Sequence, residues 1–363
     1  MAKGKIATRD VREQEARFAR QQERKSETSS ASEAVIALVL QQKCLDIFRD
    51  ALAPDHDETA TVQEVKGHLY NRDFGAAFGK EEYLRVYAGR WSPSRALGYM
   101  QVLRNAEVFM KASDRDNGEG RGPAKKLDIV CVGGGAGAEV VALAGWLNTL
   151  QQQAPGTLIT ATFVDIASWA GIVEKLHQAS VTAPELSKYA SAAARANNHP
   201  LVDPTTFSAN FVQQDVLSWA ADGLSAVIQP TTNLITLFFT LNELYTTSVP
   251  RTQAFLSQLT PTTSPGTVLL VVDSPGSYST VSINGAEKRY PMQWLLDYTL
   301  LNAGKGKEED AKWEKVAEEE SKWFRLPQGL RYPIALENMR YQMHVYRRIG
   351  GGSERDAGDE SEG

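Results

Sequence analysis

Leu241-Asn242-Glu243-Leu244-Tyr245 follows an apolar run at 233–240, and Asp273 closes a second apolar run at 266–273. A carboxylate delivered to the end of a buried strand can take a proton from a bound nucleophile, and an amide beside it can orient the reacting group. Glu243 is therefore a candidate base, Asp273 a second one, and Asn242 an orienting hydrogen bonder. The competing expectation is that Asn242 and Glu243 only cap the helix that follows. Upstream, the apolar run 127–132 stops at Gly133-Gly134-Gly135-Ala136-Gly137, and an apolar helical pattern begins at Ala138-Glu139. Glycines there permit positive φ and let a ligand approach the backbone, while free N–H groups at the helix start attract an anionic group. The spacing is G-x-G-x-G, whereas a dinucleotide loop wants a glycine where Ala138 stands. A glycine-rich turn that holds no ligand is the plain alternative.

Two further acids sit where a nucleoside could be held. Asp165 ends the run 158–165 and could accept from both hydroxyls of a ribose, or merely cap the next helix. Ile166, Ala167 and Trp169 follow and place apolar surface where an adenine would lie. Asp215 follows the run 207–212, with Val216 and Leu217 beside it. A carboxylate there could accept from an exocyclic amine, or cap a helix at 217–221.

These residues need a scaffold, and the chain alternates strand and helix patterns throughout 127–273. That alternation predicts an α/β fold with a mostly parallel sheet and flanking helices. The run 340–348 alternates apolar and polar residues and predicts a late antiparallel strand, while the charged stretch at about 304–320 predicts a solvated helical insert. Helical spacing over 33–49 and 61–70 predicts an N-terminal helical region spanning 33–111. Within it, Arg85, Arg90 and Arg95 interleave with Tyr83, Tyr87, Trp91 and Tyr99. That mixture suits phosphate contacts and base stacking, or equally a helical cap packed on the sheet. Ser92-Pro93-Ser94 predicts a turn leading into a helix at Arg95. The glycine-rich linker at 112–126 is expected to separate this region from a domain at 127–349. A basic arm at 1–32 suits RNA phosphates, a nuclear address or a disordered or helical polar tail, and 350–363 reads as a disordered acidic tail.

The 363 residues carry a net charge of −5, with 42% hydrophobic and 23% charged side chains. This is the balance of a soluble globular chain and argues against a globally basic nucleic-acid binder, although local patches can differ. No stretch of about 18 apolar residues occurs, so no transmembrane helix is expected. The polar N-terminus is not expected to be a secretory signal. Cys44 and Cys131 provide no disulfide framework, which fits a reducing compartment, and the five histidines show no metal-ligand spacing with them. No metal is expected.

The tracts Arg90-Trp91-Ser92-Pro93-Ser94-Arg95-Ala96-Leu97-Gly98-Tyr99, Val132-Gly133-Gly134-Gly135-Ala136-Gly137-Ala138-Glu139 and Leu237-Phe238-Phe239-Thr240-Leu241-Asn242-Glu243-Leu244, with residues 288–297, 323–327 and 337–341, resemble a fungal methyltransferase family. That family includes the large-subunit (25S) rRNA uridine-N3 methyltransferases, and the resemblance spans about 83 to 348. It implies a class I (Rossmann-like) fold with a mostly parallel seven-stranded sheet and an N-terminal helical extension. It implies S-adenosylmethionine (SAM) as cofactor, held by Gly133, Gly134, Gly135, Gly137, Glu139, Asp165, Ile166, Asp215, Val216 and Asn242. Ribosomal RNA or a pre-ribosomal particle is the implied partner, with no DNA or membrane, in the nucleus, nucleolus or cytoplasm. Trp91, Tyr245 and Tyr278 are then the expected stacking surface, and Arg90, Arg95, Lys288 and Arg289 the phosphate contacts. One departure is Cys131, where an acid often precedes the first loop glycine; Glu139 is the carboxylate left to replace it. Rival expectations are a protein or small-molecule acceptor, a catalytically inactive scaffold that binds RNA or a partner, and last a nicotinamide oxidoreductase.

Overall fold

Each apolar run becomes a strand because helices cover both faces of the sheet it joins, as parallel strands require. A computed structural model describes residues 36–111, 125–219, 221–276, 278–283, 286–301 and 312–350. The basic arm at 1–32, most of the linker and the acidic tail beyond Gly350 lie outside the described residues. The chain divides into a unit Met1–Ala37 and a unit Leu38–Gly363, and the elements named below belong to the second.

Strands β1 (Lys126–Val132), β2 (Leu158–Asp165), β3 (Phe207–Gln213), β4 (Thr232–Phe238) and β5 (Val268–Asp273) run parallel. A separate hairpin pairs β6 (Tyr278–Ile283) with β7 (Ala286–Pro291). β8 (Trp313–Phe324) and β9 (Met339–Arg348) complete a seven-stranded sheet in the order β3-β2-β1-β4-β5-β9-β8. β9 runs antiparallel to both neighbours, so the sheet is mostly parallel. This is the class I arrangement. The order turns back between β1 and β4, and a crevice opens at the carboxyl ends of the strands on either side of such a point.

The principal helices are α1 (Leu38–Leu52), α2 (Thr59–Tyr70), α3 (Glu81–Lys111), α4 (Ala138–Gln153), α5 (Ala170–Val181), α6 (Leu241–Thr247), α7 (Val249–Thr262) and α8 (Met292–Leu301). All of Ala138 through Leu147 in α4 is buried. A helix apolar on every side needs cover away from the sheet as well. α3 provides it, and Trp146 Nε1 of α4 donates to Glu107 Oε1 of α3 at 2.7 Å. The helices after Leu38 therefore share one unit with the sheet, rather than standing apart from it beyond a linker.

Two other expectations are corrected. Ser92-Pro93-Ser94 does not break the chain, because Pro93 lies inside the 31-residue helix α3. Proline leaves the carbonyl four residues earlier without its helical donor. That carbonyl, Gly89 O, accepts from Tyr332 OH at 2.9 Å instead. The charged insert expected as a helix is, from Trp313 onward, the outermost strand β8. Trp313 anchors it, 1% exposed, with its indole N–H donated to Thr260 Oγ1 at 2.9 Å. Lysine and glutamate favour helix locally, but pairing with β9 prevails, and such charges suit an edge strand that must not recruit another. Among the described residues no helix is long and apolar enough to cross a membrane.

Candidate active site at the carboxyl edge of the sheet

The glycine loop joins β1 to α4. Gly133 adopts φ +77° and donates its N–H to Val164 O at 2.7 Å, while Gly137 adopts φ +82° as the N-cap of α4. Both are left-handed conformations that disfavour a side chain. A Cβ on Gly133 would overlap Thr240 Oγ1, and one on Gly135 would overlap Trp169 and lie 2.8 Å from Asp165 Oδ2. Gly134 lies over Cys131 and Phe163. The loop is clamped between the ends of β4 and β2.

Asp165 ties β2 to that loop. Its Oδ2 accepts from Gly135 N–H and its Oδ1 from Ala167 N–H, both at 3.1 Å. Burial raises its pKa, and the Ala167 and Gly135 N–H groups hold the rise back. Ile166 beside it is 61% exposed, an uncovered aliphatic surface at the lip. Trp169 is instead buried against Phe78 and Tyr87, with ring centroids 5.2 and 5.8 Å away. Asp215 Oδ1 accepts from Leu217 N–H at 2.9 Å and caps the short turn Val216–Ser218. Val216 is buried in the core.

The most unusual carboxylate is Glu139, in the first turn of α4. It is 4% exposed, and its Oε1 has no hydrogen-bond partner among the described residues. Burial pushes its pKa up to about 8; Asp165 adds to the rise and Arg95 opposes it. Arg95 reaches the same neighbourhood from α3, donating to Tyr87 OH at 3.0 Å with its guanidinium 5.1 Å over the Phe239 ring. Ser92 Oγ, one turn earlier, donates to Ala136 O at 2.7 Å and fixes α3 against the loop.

Between β4 and α6, Phe239 adopts φ +53°, a left-handed conformation that is an outlier for a bulky residue. Its N–H, donated to Val272 O at 2.7 Å, helps hold it there. Strain of this kind concentrates at functional sites. Sequence reasoning passed over Phe239 because an apolar strand-end residue carries no mark of its backbone conformation.

Asn242 N–H donates to Asp273 Oδ2 at 3.0 Å, and Ser274 N–H donates to Asp273 Oδ1 at 2.7 Å. Asp273 is 3% exposed, and burial raises its pKa to about 6 against those two N–H groups. Glu243 Oε2 is buried without a hydrogen-bond partner among the described residues, 3.9 Å from Arg72 Nη1. The fold thus gathers Asn242, Glu243, Asp273, Arg95, Glu139 and the glycine loop at one edge.

Other expected site residues go elsewhere. Tyr245 is 2% exposed and packs in the core cluster with Leu256 and Leu296, so it cannot stack on a base. It lies on the inward face of α6, three residues beyond Asn242. Arg90 is already engaged: Nη1 donates to Ala335 O at 2.9 Å and Nη2 to Glu337 Oε1 at 2.6 Å. Trp91 is half-buried with its ring 4.9 Å from Tyr87. Tyr278 lies on β6 and Lys288 and Arg289 on β7, with their side chains outside the described residues. No group of three or more His, Cys, Asp or Glu among the described residues could hold a metal ion.

Comparison with known proteins places these features in context. The model of a family of SAM-dependent methyltransferases matches residues 46–347. The chain is 34% identical over 331 residues to the 25S rRNA (uridine(2843)-N(3))-methyltransferase of Saccharomyces cerevisiae, covering 84% of this chain and 85% of that one. Among solved structures, it is similar to a SAM-dependent methyltransferase from Methanosarcina mazei (11% identity, 62% of this chain and 93% of that chain, TM-score 0.35). It is also similar to the antibiotic-resistance methyltransferase Kmr (17% identity, 64% and 91%, TM-score 0.33).

Proposed function

The chain belongs to this family of SAM-dependent methyltransferases, and from that premise we propose that it methylates N3 of an unpaired uridine in large-subunit ribosomal RNA. The supporting observation is its 34% identity, over most of both chains, to the yeast enzyme of that name. The partner in this reading is a pre-ribosomal particle, in the nucleus, nucleolus or cytoplasm.

The residues present fit SAM. The loop Gly133–Gly137 would hold its methionine part, Asp165 its ribose, Ile166 its adenine and Asp215 the exocyclic amine. Glu139 Oε1, buried and without a hydrogen-bond partner among the described residues, suits the α-ammonium of the methionine part, and Arg95 suits its carboxylate. When bound, SAM supplies an activated methyl group. Uridine N3 carries a proton on the pairing edge, so the nucleotide must be unpaired or extruded. Glu243 takes that proton on Oε2, which has no hydrogen-bond partner among the described residues and lies 3.9 Å from Arg72 Nη1, and the Asn242 side chain orients the base. Asp273 acts through Asn242: both its oxygens accept from backbone N–H groups, so it is a positioning residue rather than a base.

The Glu139 pKa near 8 gives a measurable signature. Its carboxyl is mostly protonated at pH 7, and holding an ammonium ion requires the ionised form. SAM binding at pH 7 is therefore expected to release close to one proton, and affinity to rise by up to about tenfold per pH unit as pH climbs towards 8. Calorimetry in buffers of different ionisation enthalpy reads the proton directly. Glu139→Gln should abolish the release; a wild type that releases none would remove Glu139 from the ammonium.

The function itself is tested by transfer of a labelled methyl group from SAM to purified large-subunit rRNA that lacks its N3-methyluridines. Nucleoside analysis should find N3-methyluridine. Label on another nucleoside would sink the uridine assignment, and SAM binding with no transfer would favour an inactive scaffold or a different acceptor.

A further inference from the structure

Away from the cofactor loop, three aromatic rings form a ladder that starts at Tyr290, half-buried against the core, and runs out to the exposed Trp294 and Tyr298. Tyr290, at the end of β7, and Trp294 and Tyr298, on α8, follow one another at four-residue spacing and so share a face. Their planes are nearly parallel: Tyr290 and Trp294 are 4.9 Å apart at 19°, Trp294 and Tyr298 5.4 Å apart at 14°. Trp294 is 49% exposed and Tyr298 44%, although the other face of α8 is buried through Met292, Leu295 and Leu296. Large exposed rings grouped together mark a binding surface rather than ordinary surface scatter.

The foot of the ladder opens on a cavity of about 400 Å³ whose walls include Pro275, Pro291, Gln293, Glu320, Arg340 and Gln342. Two prolines offer flat apolar contact, while the amides, the carboxylate and the guanidinium offer both donors and acceptors. That mixture suits the plane and edge of a nucleobase better than a phosphate alone. Hydrogen bonds tie the cavity wall to the proposed active site: Gln342 Nε2 donates to Ser274 O at 3.0 Å, and Ser274 N–H donates to Asp273, which holds Asn242.

We propose that the Tyr290–Trp294–Tyr298 ladder and the cavity at its foot bind the single-stranded RNA adjoining the methylated nucleotide, one base entering the cavity and the next stacking on the rings. This rests on the RNA reading of the active site. Stacking on exposed aromatic rings tolerates sequence variation, and loss of each such ring lowers RNA affinity by roughly tenfold.

The test compares the full chain with its Trp294→Ala/Tyr298→Ala and Trp294→Phe/Tyr298→Phe variants. Each is measured for SAM affinity, for binding of single-stranded RNA oligonucleotides and for methyl-transfer kinetics. Both side chains are half-exposed, and unchanged SAM affinity certifies the fold. The alanine variant should show a KM for RNA raised up to about a hundredfold at unchanged kcat, and the phenylalanine variant should stay within a few-fold of wild type. Trimming the nucleotides that flank the acceptor should erase the difference between wild type and alanine variant. Equal RNA affinity and KM in wild type and alanine variant overturn the ladder proposal, as does an alanine variant that loses only a protein partner of the large subunit. Whether the wild type transfers methyl to RNA at all decides the functional reading separately.

Discussion

Gly133→Ala should abolish detectable SAM binding and lower folding stability by about 2–4 kcal/mol. The left-handed φ of +77° costs an alanine about 1 kcal/mol. Its Cβ would also overlap Thr240 Oγ1 and lie 2.6 Å from Thr240 Cγ2, and overpacking of that kind adds about 1–3 kcal/mol. The neighbours cannot yield easily. Thr240 Oγ1 donates to Phe238 O at 3.1 Å, and the adjoining Phe239 is already in a left-handed conformation. Relief of the clash has to push the loop away from the end of β4, and so displaces the backbone proposed to hold the cofactor. Denaturant unfolding and calorimetric titration check both halves of the expectation. Combining Gly133→Ala with Thr240→Gly should recover part of the overpacking but none of the backbone strain, a non-additivity that a general loss of fold would not show. A Gly133→Ala protein within about 0.5 kcal/mol of wild type that still binds SAM would mean that the loop does not work as described.

The second large effect is on chemistry alone. Asn242→Ala/Glu243→Ala should lower methyl transfer by about 10²–10⁴-fold, with SAM affinity changed far less. Neither side chain belongs to the buried core. Glu243→Gln separates proton acceptance from shape: it keeps a polar side chain of the same size and should remain as slow as Glu243→Ala. Asp273→Asn should behave differently, because an amide nitrogen must replace one of two oxygens that each accept from a backbone N–H. Its defect should appear in stability, by about 1–3 kcal/mol, as well as in rate. Full transfer by the Asn242→Ala/Glu243→Ala enzyme would remove the base assignment; helix capping is no alternative, because Thr240 is the N-cap of α6 and no side chain caps it.

The resemblance to a known family and the chemistry of short tracts pointed to the same edge of the same sheet. The runs before Gly133, Asn242 and Asp273 were legible because a parallel strand buried on both faces reads as continuous hydrophobic sequence, while β2 and the edge strand β3, before Asp165 and Asp215, carry a weaker apolar pattern whose end an acid still marks. A glycine loop followed by acids at successive strand ends needs no distant information. Which rings and charges face the site is another matter.

Tyr245 and Asn242 lie three residues apart on one short helix, yet Tyr245 is core, and only the packing of α7 and α8 against α6 decides that. Arg90 and Arg95 look alike in sequence, but Glu337, far along the chain, takes one, while Phe239 and Tyr87 receive the other. Lysine- and glutamate-rich β8 is a strand because β9 pairs with it, against its local preference for helix. The sequence by itself determined the fold class, the strand ends and the cofactor loop, since these follow from local periodicity and backbone freedom. Tertiary structure alone decided the left-handed turn at Phe239, the Glu139 Oε1 that lacks a hydrogen-bond partner among the described residues and the outward face of Trp294 and Tyr298 on α8, because each depends on how distant elements pack.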